Sequence, residues 1–440
     1  MKRWQALGWG AVWAGGALLL GYGATTHWSA IAANWQPESP RSPTPSQSAS
    51  VPNPDTLISQ RPRPTTMNPK LVSANTQFGF KLFAAIAEQQ PQRNVFISPS
   101  SVAIALAMVY NGANGKTQQE MATVLALRGM DIATLNQANA DLQAWLENPD
   151  PQIKLAIANS LWANQEVAFQ PDFIQRNQRF YQAELTRLNF TDPGAAATIN
   201  RWVGQKTQGK ITEIVDRLDA DDVMVLINAI YFKGNWSRQF DPKQTTMAPF
   251  YPVNGDRKDH PFMAQSGEYR YLDHAQFQGV MLPYGEQRRM SMVILLPKPN
   301  SSLAQLQRQL TATNWETWMA QFRNRQGSIQ VPRFKLAYET ELTRILAQLG
   351  MPTAFSRQAD FSGMSTVRTH IDAVKHKTFV DVNEEGTEAA AVTSIGIRAT
   401  SIAPMDEPFR MTVDRPFFCA IRDNQTGSVL FMGAITNPEV

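Results

Sequence analysis

Nine prolines fall between residues 37 and 70, among serine, threonine, glutamine and arginine. Such a segment is extended and solvated, because it has many residues without a backbone donor and little apolar surface to bury. No second segment of this kind interrupts residues 71–440, so a folded core has to be built there. The sequence therefore predicts a targeting segment over 1–33, a linker over 34–70 and one large domain over 71–440.

The segment before the linker has the features of a targeting sequence. Lys2 and Arg3 precede a weakly apolar stretch over 6–24, and no acidic residue occurs before Glu38. Small residues around Ile31 offer a cleavage site for a signal peptidase, whereas the length of the apolar stretch approaches that of a membrane span. The features are compatible with a cleaved signal peptide and with an uncleaved N-terminal anchor. Either one predicts a secreted or periplasmic protein.

The charge balance and the cysteine count exclude several classes of protein. Lys and Arg number 41 against 37 Asp and Glu, but six and two of these precede residue 71, which leaves 35 of each in the domain. A neutral domain lacks the excess of basic residues that nucleic acid requires. The single cysteine, Cys419, excludes internal disulfides and multi-cysteine metal sites, and its apolar neighbours predict a buried thiol. No HExxH, GxSxG or SxxK motif is present, so neither a metal nor an enzyme is predicted.

Hydrophobic patterns predict a mixed α+β domain. Apolar spacing indicates helices over 74–89 and 101–110, and Thr117 with Glu120 forms the pattern of a capping box that opens another helix. Runs rich in β-branched and aromatic residues indicate strands, and the last two flank NQTGS as a hairpin would. Their irregular alternation with helices favours α+β over a doubly wound sheet. The predicted strands are 153–164, 222–232, 279–284, 290–297, 329–339, 376–384, 417–423 and 429–435.

Residues 384–404 form the most informative segment. Small or apolar residues alternate along it, while the charges of Glu388 and Arg398 fall at the opposite parity. This alternation is strand patterning, yet the segment begins at Gly386 and ends among prolines, as an exposed and cleavable loop would. From these residues alone, an edge strand or a flexible linker is an equally good interpretation. The residues of the uncharged parity are Thr387, Ala389, Ala391, Thr393, Ile395 and Ile397.

Seven segments of the domain resemble, in order, segments of the serpin family, and the resemblance covers essentially all of residues 71–440. It is to an inhibitory, bacterial-type member. It implies the serpin fold, which is an α+β fold with a large central β-sheet, further sheets, about eight or nine helices and an exposed reactive loop. The segments are NVFISPSSVAIALAMVYNGANGKTQQEM (94–121), INRWVGQKTQGKI (199–211), LINAIYFKGNW (226–236), VPRFKL (331–336), LGMPTAFSRQADFSGM (349–364), VKHKTFVDVNEEGTEAAA (374–391) and DRPFFCAIRDNQTGSVLFMG (414–433).

The resemblance implies an exported suicide-substrate inhibitor of serine proteases. In such a protein the target cleaves the reactive loop, becomes acylated to it and is displaced as the loop inserts into the central sheet. A non-inhibitory chaperone or carrier with the same fold is the alternative. Inhibition is favoured because the small residues of the hinge can enter a packed sheet without overpacking it. The residues that match the hinge are Glu384, Gly386, Thr387, Glu388, Ala389, Ala390, Ala391, Val392 and Thr393.

The family's spacing from the hinge predicts the scissile bond. Fourteen residues beyond Gly386, it lies between Thr400 and Ser401. The bond between Arg398 and Ala399 is the second candidate, although it would shorten the insertable segment by two residues. A threonine before the bond suits elastase-like or subtilisin-like proteases, whereas an arginine suits trypsin-like ones.

Further positions match family residues with roles in the sheet. Ser98, Ser101, Asn228 and His376 match a polar cluster beneath the strands that part to admit the loop, where their role would be gating. Trp236 matches a position at the top of the sheet, where insertion begins.

The predicted partner is a target serine protease, and the chain is expected to be a monomer without a cofactor. Residues 128–150 include the region where some serpins bind sulfated polysaccharide, but here they carry four acidic residues and almost no Lys or Arg. We therefore expect neither a polysaccharide cofactor nor nucleic acid, and membrane contact only through an N-terminal anchor.

Overall fold

Two β-sheets with helices around them make up the part of the chain that the computed structural model describes, residues 67–147, 150–387 and 407–440. Nine α-helices and fifteen strands occur within these residues, which confirms the predicted α+β class. The helices are α1 (Pro69–Gln89), α2 (Pro99–Tyr110), α3 (Gly115–Val124), α4 (Ile132–Leu146), α5 (Pro171–Tyr181), α6 (Ala195–Lys206), α7 (Leu303–Gln309), α8 (Ala312–Gln321) and α9 (Thr343–Leu349).

The larger sheet has nine strands, and the predicted C-terminal hairpin lies inside it. Its order is β1-β15-β14-β8-β7-β6-β9-β13, with β5 paired to β6. The hairpin strands β14 and β15 therefore separate β8 from β1. The strands are β1 (Val95–Ile97), β5 (Thr246–Phe250), β6 (Lys258–Asp273), β7 (Phe277–Tyr284), β8 (Met290–Pro297), β9 (Arg323–Pro332), β13 (Phe409–Thr412), β14 (Phe417–Asp423) and β15 (Val429–Ile435).

The second sheet has six strands and holds most of the predicted site residues. Its order is β10-β11-β12-β4-β2-β3, and β11 also pairs directly with β4. The short strand β12 is the start of the predicted hinge. The strands are β2 (Ile153–Asn164), β3 (Glu184–Leu188), β4 (Met224–Asn235), β10 (Phe334–Glu341), β11 (Ala373–Val382) and β12 (Gly386–Thr387).

Helix α2 joins the two sheets through the main core. Every residue of this helix is buried, as its apolar sequence on nearly all faces predicts. It contacts β15 of the nine-stranded sheet on one side, and β4 and β2 of the six-stranded sheet on the other. Burying an apolar side chain stabilises a fold by about 1.5–3 kcal/mol, so a helix buried all round is a main source of stability.

Three local predictions differ from the structure. The capping box is wrong, because helix α3 begins at Gly115 and contains Thr117 within it. The Thr117 hydroxyl accepts a hydrogen bond from the backbone of Asp360 at 2.9 Å, and Glu120 accepts two from Thr353, each at 2.9 Å. The predicted strand 329–339 is two strands that meet at Arg333, and the first helix begins at Pro69, inside the predicted linker.

Within the described ranges, none of the helices combines the length and apolar character needed to cross a membrane. The predicted signal peptide or anchor over 1–33 and the linker up to residue 66 lie outside those ranges.

Candidate functional site

The centre of the six-stranded sheet contains a seam between β11 and β4. These strands are parallel and pair directly from Ala373 opposite Val225 to Phe379 opposite Tyr231. Beyond Phe379 the short strand β12 lies between them, antiparallel to both. The two strands therefore pair directly along the lower part of the seam, from Ala373 to Phe379 of β11. At the top of the seam, beyond Phe379, β12 already separates them.

Gly386 enters the top of the seam at a position where only glycine fits. A β-carbon there would collide with the carbonyl oxygen of Gly234 and lie 2.6 Å from Cα of Asn235. Both of these atoms belong to the backbone of β4, so neither can rotate away. The requirement arises from the close approach of two backbones.

Thr387 follows in the seam with no solvent exposure. Its hydroxyl lies 2.7 Å from the hydroxyl of Tyr284, a fully buried residue of β7 in the other sheet. Burial raises the pKa of Tyr284 well above its ordinary value, and the hydrogen bond with Thr387 opposes this only in part. The first inward-facing residue of the hinge is thus fixed by one neutral hydrogen bond in an apolar site.

Trp236 holds the turn that leads into the hinge, at the top of the sheet where the family resemblance predicts it. Its indole stacks on the ring of Tyr284 with centroids 4.4 Å apart. Its Nε1 donates to the carbonyl of Asn383 at 2.9 Å, and its backbone nitrogen donates to Glu385 at 2.9 Å. One tryptophan therefore binds both the turn and the tyrosine that contacts Thr387.

Glu384 anchors the same turn through a buried carboxylate. The Arg333 guanidinium donates to both carboxylate oxygens, with Nε at 2.8 Å from each, and the Thr245 hydroxyl donates as well. Burial acts on the pKa of Glu384 most strongly and would raise it, but the bonds from Arg333 and Thr245 outweigh that effect, so the pKa is lowered. Arg333 lies between β9 and β10, at the position where the structure divides the single predicted strand into two.

The four residues of the predicted polar cluster are in contact across the seam. His376 of β11 and Asn228 of β4 are register partners, with Nδ1 and Oδ1 2.6 Å apart. Asn228 Nδ2 donates to Ser101 Oγ at 2.5 Å, and the backbone nitrogen of Ser98 donates to His376 Nε2 at 3.1 Å. Both serines belong to the start of α2 beneath the sheet. We call these four residues the seam cluster.

The seam cluster defines the charge and tautomer of its histidine. Since the Ser98 nitrogen is a donor, His376 Nε2 has to accept and the ring proton is on Nδ1, which donates to Asn228. Burial lowers the pKa of His376 to about 3, and its bond with Asn228 opposes this only weakly. The histidine is neutral at physiological pH, and a second proton would point at the Ser98 nitrogen.

Sequence reasoning missed Asn159, a fifth member of this network. Asn159 on β2 is the register partner of Asn228, whose amide also donates to its Oδ1. The signal was an asparagine among the apolar residues at the centre of β2, where a buried polar group needs a partner.

The remaining predicted residues have different outcomes. Glu388, Ala389, Ala390, Ala391, Val392 and Thr393, together with both candidate bonds Arg398–Ala399 and Thr400–Ser401, lie outside the described residues. Cys419 is fully buried in β14, and burial raises the pKa of its thiol, which makes it a core residue.

Comparisons with known proteins give one consistent result. A family model described as Serpin (serine protease inhibitor) matches residues 73–438. Human serpin B8 is 39% identical over 378 residues, which cover 84% of this chain and 99% of that protein. Human leukocyte elastase inhibitor is 37% identical over 384 residues, which cover 84% of this chain and 100% of that protein.

Solved structures agree with the sequence comparisons. Native tengpin, a thermophilic serpin, superposes with a TM-score of 0.78 at 30% identity, covering 87% of this chain and 98% of its own. Human thyroxine-binding globulin in complex with its hormone gives a TM-score of 0.78 at 26% identity, covering 84% and 99%.

The relatives correct one prediction and support another. The predicted secreted or periplasmic location is wrong, because serpin B8, leukocyte elastase inhibitor and macaque serpin B6 are intracellular proteins. The prediction that the chain is not an enzyme is confirmed, because these relatives inhibit proteases and do not catalyse a reaction.

Proposed function

This chain belongs to the serpin family, and we propose that it inhibits serine proteases as a suicide substrate whose cleaved loop enters the seam between β11 and β4. The observation that carries this proposal is the position of Gly386 and Thr387. Both already lie between the two strands, where Thr387 pairs with β11 and β4 and Gly386 pairs with β4. The rest of the loop can therefore continue along a path that its first two residues have begun.

The register of β12 supports a specific end point for insertion. Thr387 is opposite Val382 of β11 and Gly234 of β4. In an antiparallel ladder, residue numbers run in opposite directions, so a loop residue six positions further on has partners whose residue numbers are lower by six. Thr393 would then come opposite both His376 and Asn228, the two residues that bridge the seam. Because six is an even number, Thr393 would face inward like Thr387.

Insertion along this register would separate the bonded pair in the seam cluster. The contact between His376 and Asn228 crosses the path of the entering strand, so it has to break first. Thr393 would bring a hydroxyl to the same level, where it can both donate to and accept from the separated side chains. The seam cluster would thus close the sheet before cleavage and receive the loop afterwards.

The energy of insertion, before the cost of ordering the loop, is comparable with the stability of a captured protease. The same register takes ten residues, 387–396, as far as Ala373 and Val225 at the lower end of the seam. About 20 ladder bonds form and about seven are lost, and at ~1 kcal/mol net per bond the gain is on the order of 10 kcal/mol. The stability of a typical protease is about 5–15 kcal/mol.

The target is proposed to be an elastase-like or subtilisin-like protease. This choice rests on Thr400 before the predicted scissile bond, and leukocyte elastase inhibitor among the relatives agrees with it. Cleavage at Arg398 would instead indicate a trypsin-like target.

The test is to incubate the purified chain with elastase, subtilisin and trypsin in separate reactions. We expect a complex with at least one of them that survives boiling in detergent. Sequencing the new N-terminus of the released C-terminal fragment then identifies the bond. Loop cleavage by all three enzymes without any complex would contradict the proposal.

A non-inhibitory carrier is the second candidate, because thyroxine-binding globulin with bound hormone shares this fold closely. Cleavage without a complex, together with unchanged heat stability of the cleaved chain, would favour the carrier.

A further inference from the structure

The lower end of the seam, opposite the end where the hinge enters, is bridged by the side chain of Asp372. This residue precedes β11, and its Oδ2 accepts hydrogen bonds from the backbone nitrogens of Val223 at 2.7 Å and Met224 at 2.8 Å. The backbone nitrogen of Asp372 also donates to the carbonyl oxygen of Met224 at 2.9 Å. These three bonds join the chain before β11 to the start of β4, next to the register pair of Ala373 and Val225.

The backbone at this level needs the side chain of Asp372. Met224 is fully buried, and a buried N–H group without a partner is unfavourable. Hydrogen bonds from backbone nitrogens to a carboxylate are shorter and stronger than those between neutral groups. One oxygen of Asp372 therefore continues, at the end of the seam, the ladder of bonds that joins β11 to β4 above it.

Further contacts fix Asp372 and the start of β11 in place. His370 Nε2 lies 3.0 Å from the other carboxylate oxygen, Oδ1. The backbone nitrogen of Val374 donates to the Thr343 hydroxyl at 3.0 Å, and the carbonyl oxygen of Val374 accepts from the Leu342 nitrogen at 2.9 Å. The lower end of β11 is thus tied to the start of α9, so a separation of β11 from β4 acts directly on the bonds of Asp372.

Insertion along the proposed register would break these bonds. The inserted residues 387–396 reach Ala373 and Val225, one level above Asp372 and Met224. Directly paired strands lie about 4.8 Å apart, and a strand between them doubles that distance to roughly 10 Å. The next level is only about 3.3 Å along the strand, so the carboxylate could not reach across. Asp372 therefore makes a contact that the entering loop has to release.

We propose that Asp372 is a positioning residue that holds β11 and β4 together at the lower end of the seam until the cleaved loop arrives. The contact between His376 and Asn228 bridges the same strands higher up, so the seam is closed at two levels. The strands then separate from the top, where β12 already lies between them. This inference rests on the proposed function, because it assigns Asp372 a part in loop insertion.

Hydrogen exchange of the intact chain tests the contact without any protease. Amides that bond across the seam exchange when β11 and β4 separate. We expect exchange of 225–231 and 373–379 to be at least about tenfold faster in Asp372→Ala, since one bond to a charged acceptor is worth about a tenfold change in an equilibrium constant. These ranges leave out Val223 and Met224, whose amides lose their partner directly. Asp372→Asn should exchange more slowly than Asp372→Ala, because its amide oxygen can still accept both bonds.

Asp131→Ala is the matched control. The Asp131 carboxylate accepts from the backbone nitrogen and the hydroxyl of Thr134, at 2.8 and 2.9 Å, at the start of α4. This variant also loses two bonds to a carboxylate, but it should leave the exchange of 225–231 and 373–379 as in the wild type. Equal exchange in Asp372→Ala and the wild type would overturn the proposal. So would equal acceleration in Asp372→Ala and Asp131→Ala, or in Asp372→Ala and Asp372→Asn.

Urea unfolding before and after loop cleavage tests the release of the contact. The loop is cleaved with a metalloprotease, which attacks with a metal-bound water and forms no acyl-enzyme that could be trapped. Asp372→Ala should lower the urea midpoint of the intact chain but not that of the cleaved chain, in which the bonds of Asp372 are already broken. A residue that only supports local structure would affect both forms alike.

The wild type separates this inference from the proposed function. A higher urea midpoint after cleavage indicates that the loop has inserted. If the midpoint rises, but Asp372→Ala lowers it equally in both forms, the contact survives insertion and the assignment to Asp372 is wrong. If cleavage does not raise the midpoint of the wild type, the proposed function is contradicted, whereas faster exchange in Asp372→Ala would still support the contact across the seam.

Discussion

An arginine in place of Thr387 tests whether the seam has to accept this residue for inhibition to occur. Thr387 has no exposed surface, and the Tyr284 hydroxyl is its side-chain hydrogen-bond partner. The nearby carboxylate of Glu384 is already bound by Arg333. A guanidinium at position 387 would thus be buried with no counter-charge.

The cost of that burial is large enough to change the outcome of loop cleavage. An uncompensated buried charge costs about 3–5 kcal/mol, against a gain on the order of 10 kcal/mol for the whole insertion. Before cleavage the chain can avoid the cost by leaving the two residues of β12 outside the sheet. After cleavage it cannot, because insertion begins there. A cost of ~3 kcal/mol in the transition state slows insertion about a hundredfold.

The assay is the number of inhibitor molecules consumed for each protease molecule inactivated. We expect this number to be near one for the wild type and above about ten for Thr387→Arg, because hydrolysis of the acyl-enzyme overtakes the slowed insertion. Glu388→Arg is the matched control, since residue 388 has the opposite parity and should leave the number unchanged. If Thr387→Arg traps protease as efficiently as the control does, insertion through this seam is refuted.

Two further predictions concern the closed state of the seam. In the unfolded chain His376 binds a proton below about pH 6.5, whereas in the folded chain it does so only near pH 3. Between these two values the free energy of unfolding therefore decreases as the pH falls, by up to ~1.4 kcal/mol per pH unit. Urea unfolding between pH 4.5 and 6.5 should show this slope, and His376→Gln should reduce it; an equal slope in the variant would contradict the assignment. Gly386→Ala should displace the hinge from β4, because the added carbon meets the backbone at Gly234 and Asn235. Hydrogen exchange of the peptide containing Thr387 should then be faster than in the wild type. Unchanged exchange would contradict the prediction and show that the space between β11 and β4 can accommodate the added carbon.

Sequence patterns predicted best those elements whose stability is local or simply apolar. Helix α2 and the C-terminal hairpin were predicted almost to their ends, because an apolar run or a turn signal suffices to define them. The capping box failed because Thr117 and Glu120 bond to distant loops, which no local pattern reveals. Strand β6 was missed because its sixteen residues alternate polar and apolar side chains irregularly and include a proline.

The candidate site shows the same division. The family resemblance identified the residues of the seam cluster, but neither the resemblance nor the pattern could show that His376 and Asn228 are register partners across the seam. That fact depends on the pairing of two strands about 150 positions apart in the sequence. Tyr284 was missed for the same reason, since it reaches Thr387 from the other sheet.

The position of the last hairpin has a consequence for how the protein is made. Strands β14 and β15 emerge from the ribosome after all the other described strands, yet they lie between β8 and β1 in the nine-stranded sheet. Until they arrive, β1 has no partner strand, and α2 lacks one of the surfaces on which it packs. The nascent chain therefore exposes apolar surface until translation is almost complete. A premature stop codon before residue 417 would give a product that lacks both strands and cannot complete its core.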